Sequence, residues 1–324
     1  MTITAPSRPP LMPPPARGAP ARRQRASRVG TSTTRTLISD AALRRGRTRV
    51  LYFATLTLVT ILFALVFLFP LYWMVTGAVK DPAEFARATP TFVPQTFEPQ
   101  NYVMAWDRMH IARYFGNTVL YAVGGWLIQL GVDVAVAYAL SKLRPVLGKL
   151  VLAMMLASLM LPPAALLIPT YLTITKVPIV GVNLLNTPWA LWLPAAANAV
   201  NIYILKRFFD QIPDDLLDAA ALDGAGRVRI LRSIVLPLSR PVLGVVSILA
   251  IVGIWKDFLW PLVVLQDTKV QTLSVALSRL SNTSQVPPTE FMAGLVIASI
   301  PMIVIFLIFQ RSIIGGLSAG SMKG

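Results

Sequence analysis

The sequence predicts an all-α membrane protein, six transmembrane helices with a helical loop carried on one face of the bundle. Three observations lead there. The 324 residues are 55% hydrophobic and only 14% charged, with a mean hydropathy of +0.63, whereas a soluble domain carries about 25% charged residues. Six long apolar stretches recur along the chain. The basic residues fall mainly on alternate connections, the pattern that orients a multi-span chain. A net charge of +16 would, on a soluble protein, point to nucleic acid. Here the placement of that charge decides the reading.

Residues 1–49 come first. They hold eleven arginines against a single acid, Asp40, together with a proline-rich run at 9–15. Such a segment buries too little apolar surface to offset its ordering entropy, so it reads as a disordered basic cytoplasmic tail. A cleaved signal peptide fits poorly. The apolar run that follows lasts thirty residues, and no cleavage site follows it. Attraction to anionic inner-leaflet lipid and a topology signal are the two readings of the tail. Nucleic-acid binding ranks last, because aromatic residues are not interleaved with the arginines.

Residues 50–324 form the membrane domain. A helix rising about 1.5 Å per residue needs about twenty apolar residues to cross a hydrocarbon core about 30 Å thick. Spans are expected at about 50–79, 114–141, 150–175, 186–209, 239–266 and 291–312. Helix is required because lipid offers backbone groups no partner, and strand alternation is absent. Pro70, Pro162, Pro163, Pro169, Pro194, Pro261 and Pro301 lie in these spans. The plain reading is kinking. The sharper one is that broken helices line a cavity. With the amino terminus inside, inner segments hold 22 basic residues and outer loops seven, so both termini are expected in the cytoplasm.

The inner loop 211–237 carries the most information. Pro213 suits the first turn of a helix, and Asp214 and Asp215 suit its positive end. The helix is expected over 213–223, ending in a turn at Gly224 and Gly226. A second helix, 227–235, should stop before Pro237. The loop therefore offers a partner a small-residue surface with carboxylates for charge-assisted bonds.

Asp218, Ala219, Ala220, Gly224, Ile234, Leu236 and Pro237 match, at the right spacing, the pattern E-A-A-x₃-G-x₉-I-x-L-P. This stretch resembles the EAA loop of the membrane subunits of bacterial ABC importers. Asp218 departs from the usual Glu, keeping the charge with a reach shorter by one methylene. Further segments look like the carbohydrate-uptake, MalG-like branch: Asp223 with Gly224 and Ala225, the run 255–262, the run 272–275, and the carboxyl-terminal run. The resemblance covers about 51–324. Lys256 stands where Asn is usual.

The resemblance implies a six-helix bundle of that family with a cytoplasmic coupling helix, in a bacterial plasma membrane. It implies a heterodimer with a second, similar permease subunit, two cytoplasmic ATPase subunits below, and an extracytoplasmic solute-binding protein outside. Asp218, Ala219, Ala220, Asp223, Gly224, Ile234, Leu236 and Pro237 would couple the bundle to an ATPase. The chain has no G-x-x-x-x-G-K-[ST] phosphate loop, so ATP and Mg belong to the partner ATPases and no cofactor to this chain. The solute would be a sugar or sugar-like molecule.

Sugar sites use aromatic faces with amide and hydroxyl groups, so Asn198, Asn201, Tyr203 and Trp255 are candidates for the path, with Asp257. Away from the span ends only Asp133, Lys256 and Asp257 are charged. A charge at the bilayer centre costs roughly 2.5–3.5 kcal/mol on insertion scales, which marks each as functional by default. Asp133 reads as a structural polar contact. Neighbouring Lys256 and Asp257 point to different sides of a helix and make a poor mutual bridge. The chain has no cysteine and one histidine, His110, in a polar loop where a solvated role is the plain reading. No metal or catalytic site is expected, and no nucleophile–base pair supports a membrane enzyme. The rival function is a proton-coupled secondary transporter working through Asp133 or Asp257. No inverted repeat supports it.

Overall fold

The computed structural model describes residues 46–282 and 286–321, with side chains to residue 310. The expected disordered tail lies outside these residues except at its last four, and so does the chain end, 322–324. Among these residues, those to Leu62 and those from Phe63 belong to separate compact units. Among the described residues all regular structure is helical.

Helix α1, Gly46–Ala78, is apolar on every side, which suits a lipid environment and not a water-facing one. It is followed by α2, Pro82–Phe85, and α3, Gln100–Arg108. The segment between them is tied to its own chain. Lys80 is buried, lies 4.7 Å from the Trp73 ring centre and donates to the Thr91 carbonyl. Glu84, also buried, accepts from Thr91 Oγ1 at 2.6 Å and from the Gln95 amide at 3.0 Å. Asn101 Nδ2 donates to the carbonyls of Ala78 and Lys80.

Helix α4, Ile111–Tyr138, is the hub of the unit and continues into a π-helical turn, Ala139–Leu143. His110 precedes it, exposed and in the left-handed region at φ 50°. The next apolar stretch is broken. Helix α5, Gly148–Ser158, and α6, Pro163–Thr175, are bent by 109° at Pro162 and Pro163. The expected span 186–209 is likewise divided into α7, Trp189–Ala195, and α8, Ala199–Phe209. Pro194 near the end of α7 and Asn198 as the amino-terminal cap of α8 cause that break.

The loop helices are α9, Asp214–Leu222, and α10, Arg227–Ile230. A second π-turn, Leu231–Val235, leads to α11, Leu236–Leu238. After an 85° bend come α12, Arg240–Lys256, and, beyond a break at Asp257 and Phe258, α13, Leu259–Val264. Helix α14, Leu273–Ser281, and the long α15, Pro288–Ser321, complete the order. Among the described residues, by length and composition three helices can cross a membrane, or up to five if each bent pair counts once. The divided segment 186–209 is in neither group.

The core lies around α4. At its carboxyl end Ala137 and Tyr138 meet Leu205, Phe209, Ile230 and Val246. Mid-helix, Tyr121 meets Ile174, Leu191 and Val264. Near its start Ile111 meets Ala78, Met109, Leu273 and Ala293. Gly124 permits the tightest approach: a Cβ there would run into the ring of Trp192, whose Nε1 donates to the Tyr121 carbonyl at 3.1 Å.

Candidate functional site

Helix α9 is built as the sequence leads one to expect, with Pro213 and Asp223 as its flanking caps. Its carboxyl end closes with two bonds, Ala225 N–H to the Ala220 carbonyl at 2.9 Å and Gly224 N–H to the Ala221 carbonyl at 3.0 Å. That pairing is a Schellman motif, and it requires a left-handed residue, which Gly224 supplies at φ 80°. Leu217, Ala220 and Ala225 turn inward onto the core cluster of Phe209, Ile212 and Ile230. Asp218, Ala219, Ala221, Asp223 and Gly224 face outward, and Leu222 stands 90% exposed among them.

The helix is anchored to the end of α4. Lys142 Nζ donates to Asp214 Oδ1 at 2.7 Å and to the Ile212 carbonyl at 2.6 Å. Arg144 Nη2 donates to Asp214 Oδ2 at 2.8 Å. The bond from Lys142, with its charge and that of Arg144, holds the Asp214 carboxyl below its ordinary value. One turn earlier Asp210 accepts from Ser141 Oγ at 2.7 Å and pairs with Lys206 at 2.8 Å. Burial alone would raise its pKa, but bonds from Lys206 and Ser141 and the charges of Lys206 and Arg207 outweigh that and lower it. Tyr138 Oη donates to the Arg227 carbonyl at 3.2 Å.

Beyond α10 the structure departs from the sequence expectation. The second helix does not stop before Pro237; it continues to Leu238. The π-turn makes this possible. Its wider ring is closed by Leu236 N–H donating to the Leu231 carbonyl, and Pro237 then falls in the first turn of a new α segment, where its missing N–H is not needed. Ile234 and Leu236 are half-buried there and Pro237 is exposed.

A second feature sits where two helices are broken. The α7–α8 break and the α12–α13 break both line a cavity of about 590 Å³ that contains Asn198, Asn201 and Asp257. Asn198 is a working cap: its Oδ1 accepts from Val200 N at 3.0 Å and Asn201 N at 3.1 Å, and its own N–H donates to Asp133 Oδ1 at 2.9 Å. Asp133 is 1% exposed, which accords with a structural polar contact. The amides of Asn201 and Gln129 also face it. A neighbouring cavity of about 770 Å³ is lined by Trp255, Lys256, Phe258, Ser274 and Ser278. Trp255 meets Phe115 edge to face at 6.0 Å.

Of the loop residues named from sequence, Asp218, Ala219, Asp223 and Gly224 thus face outward, Ala220 packs inward, and Ile234, Leu236 and Pro237 lie at the return into the bundle. Of the path candidates, Asn198, Asn201 and Asp257 share one cavity and Trp255 lines the next. Tyr203 lines neither and is 40% exposed. Sequence reasoning missed the anchor. Lys142 and Arg144 enter it only as topology charges, and Asp210 does not enter at all. Their signal was polar residues clustered at two span ends, which becomes a contact only once those ends are known to adjoin.

The chain is similar to known proteins. Residues 130–317 match the family described as binding-protein-dependent transport system inner membrane component. Protein LplC of Bacillus subtilis (strain 168) is 31% identical, over 79% of this chain and 89% of its own length. The trehalose/maltose transport system permease protein MalG of Thermococcus litoralis is 30% identical, over 86% of this chain and 99% of its own. In fold, a chain of a bacterial ABC transporter involved in import of the acidic polysaccharide alginate superposes with a TM-score of 0.72 at 23% identity, covering 85% of this chain and 99% of that one. With the outward-facing Ala-rich helix, its glycine cap and its return through Pro237 all in place, the chain belongs to the family of binding-protein-dependent transport system inner membrane components, the permeases of ABC importers.

Proposed function

We propose that this permease forms half of the translocation path of an ATP-driven importer for a sugar or sugar-like solute, and that α9 is its coupling helix. One observation carries the coupling role. Helix α9 is anchored on one side by Lys142 and Arg144 and by apolar packing, while the face bearing Asp218, Ala219 and Asp223 is left open. A small, acidic, exposed face held on a fixed base suits docking into a cleft of another subunit. Asp223, Gly224, Ile234, Leu236 and Pro237 would shape the turn and the return of the loop.

In this reading the loop and both termini face the cytoplasm, and the tail 1–49 lies there with them. Two ATPase subunits bind ATP and Mg below the bundle. A second permease subunit supplies the other half of the path, and a solute-binding protein delivers the solute from outside. Closure of the ATPases would favour one of two bundle conformations through differential contacts with α9, shifting the population between inward-open and outward-open states. The sugar reading is supported by relatives whose names specify melibiose, raffinose and stachyose, trehalose and maltose, or lactose. Asn198, Asn201, Trp255 and Asp257 line the cavities such a solute would pass, and Tyr203 lines neither.

The test is reconstitution. Vesicles carrying both permeases should take up solute only with ATPase subunits, ATP and binding protein present. Uptake that proceeds without ATPases and collapses with the proton gradient would overturn the reading.

A further inference from the structure

Three charged side chains lie in the apolar stretches away from the span ends, and two have their partners. Asp133 is buried and accepts the Asn198 N–H. Asp257 directs its carboxylate at the backbone N–H groups of Trp260, Phe258 and Leu259, at the start of α13. Lys256 differs. It is exposed at the carboxyl end of α12 and lines both cavities. Among the described residues no acceptor lies within hydrogen-bond or ion-pair reach of its ammonium.

The rest of the first cavity points the same way. Asn198 Oδ1 is taken by two backbone N–H groups. The amides of Asn201 and Gln129 face Asp133. With the Asp257 carboxylate directed at backbone N–H groups, the Lys256 ammonium is the charged side chain of the cavity left without a partner among the described residues. An unpaired ammonium lining the path is complementary to a negatively charged solute, and the solute's carboxylate would give it the partner the protein does not.

We propose that Lys256 is the anion-recognising group of the translocation path and that the imported solute is an acidic saccharide of the uronic-acid class. The inference rests on the sugar-importer reading above and sharpens its substrate. Lysine suits the task physically. It is a compact point charge on a flexible stem, so it can follow a carboxylate through the cavity, where a fixed bidentate arginine would hold it.

The experiment uses the whole transporter, purified through a tag on this chain with its second permease, ATPases and binding protein, in proteoliposomes. The probes are radiolabelled galacturonate and digalacturonate, with galactose and lactose as neutral counterparts. The expected result is ATP-dependent accumulation of the acidic probes only. Lys256→Met should raise KM for them about tenfold, a loss of about 1.4 kcal/mol, while ATPase subunits still co-purify. Lys256→Arg should keep the low KM for the acidic probes while slowing their uptake. Accumulation of the neutral probes, unchanged in Lys256→Met, would overturn this inference and leave the importer reading standing. Loss of subunit assembly in Lys256→Met would also overturn it, making the lysine an interface residue. ATP-dependent uptake of neither class would overturn the sugar reading and this inference with it.

Discussion

Lys142 and Asp214 join the π-turn that ends α4 to the first turn of α9 at 2.7 Å, and the lysine side chain is 4% exposed while the aspartate is half open to solvent. The lysine is therefore the fixed end and the helix the part held. Displacement of α9 by a docked subunit would pull on α4, the helix against which most of the bundle packs. Replacing Lys142 by Met should separate hydrolysis from transport. We expect ATP hydrolysis by the assembled transporter to persist while solute uptake falls about tenfold, within the usual range of coupling energies. Paired hydrolysis and uptake assays check this, and equal loss of both would place the lysine in assembly instead.

Gly224 sits at φ 80° with open space around it, so its constraint is the backbone and not crowding. Gly224→Ala should destabilise the capped turn by about 1–2 kcal/mol, while Gly224→Asn, which tolerates the left-handed region, should cost less. Gly224→Asp adds a charge beside Asp223 and should block transport while leaving solute delivery by the binding protein intact. Uptake assays with a binding-protein docking assay distinguish these outcomes. Normal uptake by Gly224→Asp would remove the loop from coupling.

Glu84 provides a pH test in the 79–100 segment. The hydrogen bond from Thr91 Oγ1, with those from Gln95 and Thr96, lowers its pKa to about 2. Since the folded value lies below the unfolded one, its stabilising contribution is full above the ordinary carboxylate pKa and is lost as pH falls toward 2. Amide protection in residues 79–100, taken relative to the intrinsic exchange rate at each pH, should therefore fall between about pH 4.5 and 2 in the wild type. Glu84→Gln should show reduced protection already at pH 7, with little further change on acidification.

Asp133 separates the two transport mechanisms. As a structural acceptor it is replaceable by Asn, which keeps a carbonyl for the Asn198 N–H, so Asp133→Asn should retain ATP-driven uptake. Asp133→Leu leaves that buried donor unpaired and should destabilise the fold by about 1–3 kcal/mol, read as a lowered thermal midpoint in detergent. A proton relay through Asp133 would instead make the Asn variant inactive.

Much of this was readable in the residues because lipid constrains them so tightly. The all-helical class, the loop at 211–237 and its glycine-ended helix follow from apolar run lengths, Pro213 and Gly224. The breaks within 150–175 and 186–209 were harder. Proline marks a kink, but whether the chain bends by a few degrees or by 109° at Pro162 and Pro163 depends on what packs against it. The anchor was not readable, because Lys142 and Asp214 are 72 residues apart and only the fold makes them neighbours. The course through Pro237 was misread for a local reason. A rule about residues preceding proline does not foresee a π-turn.

The two π-turns, Ala139–Leu143 and Leu231–Val235, have a consequence for chain length. Each accommodates an extra residue in a helical path, so removing one residue there would restore an ordinary α-turn without a gap. Everything beyond it would keep its facing, whereas a deletion in a neighbouring α-turn would rotate it by about 100°. The extra residue in each π-turn is thus a reserve of chain length. Single-residue deletions at these sites should be tolerated far better than deletions one turn to either side, as long as Lys142 itself is kept.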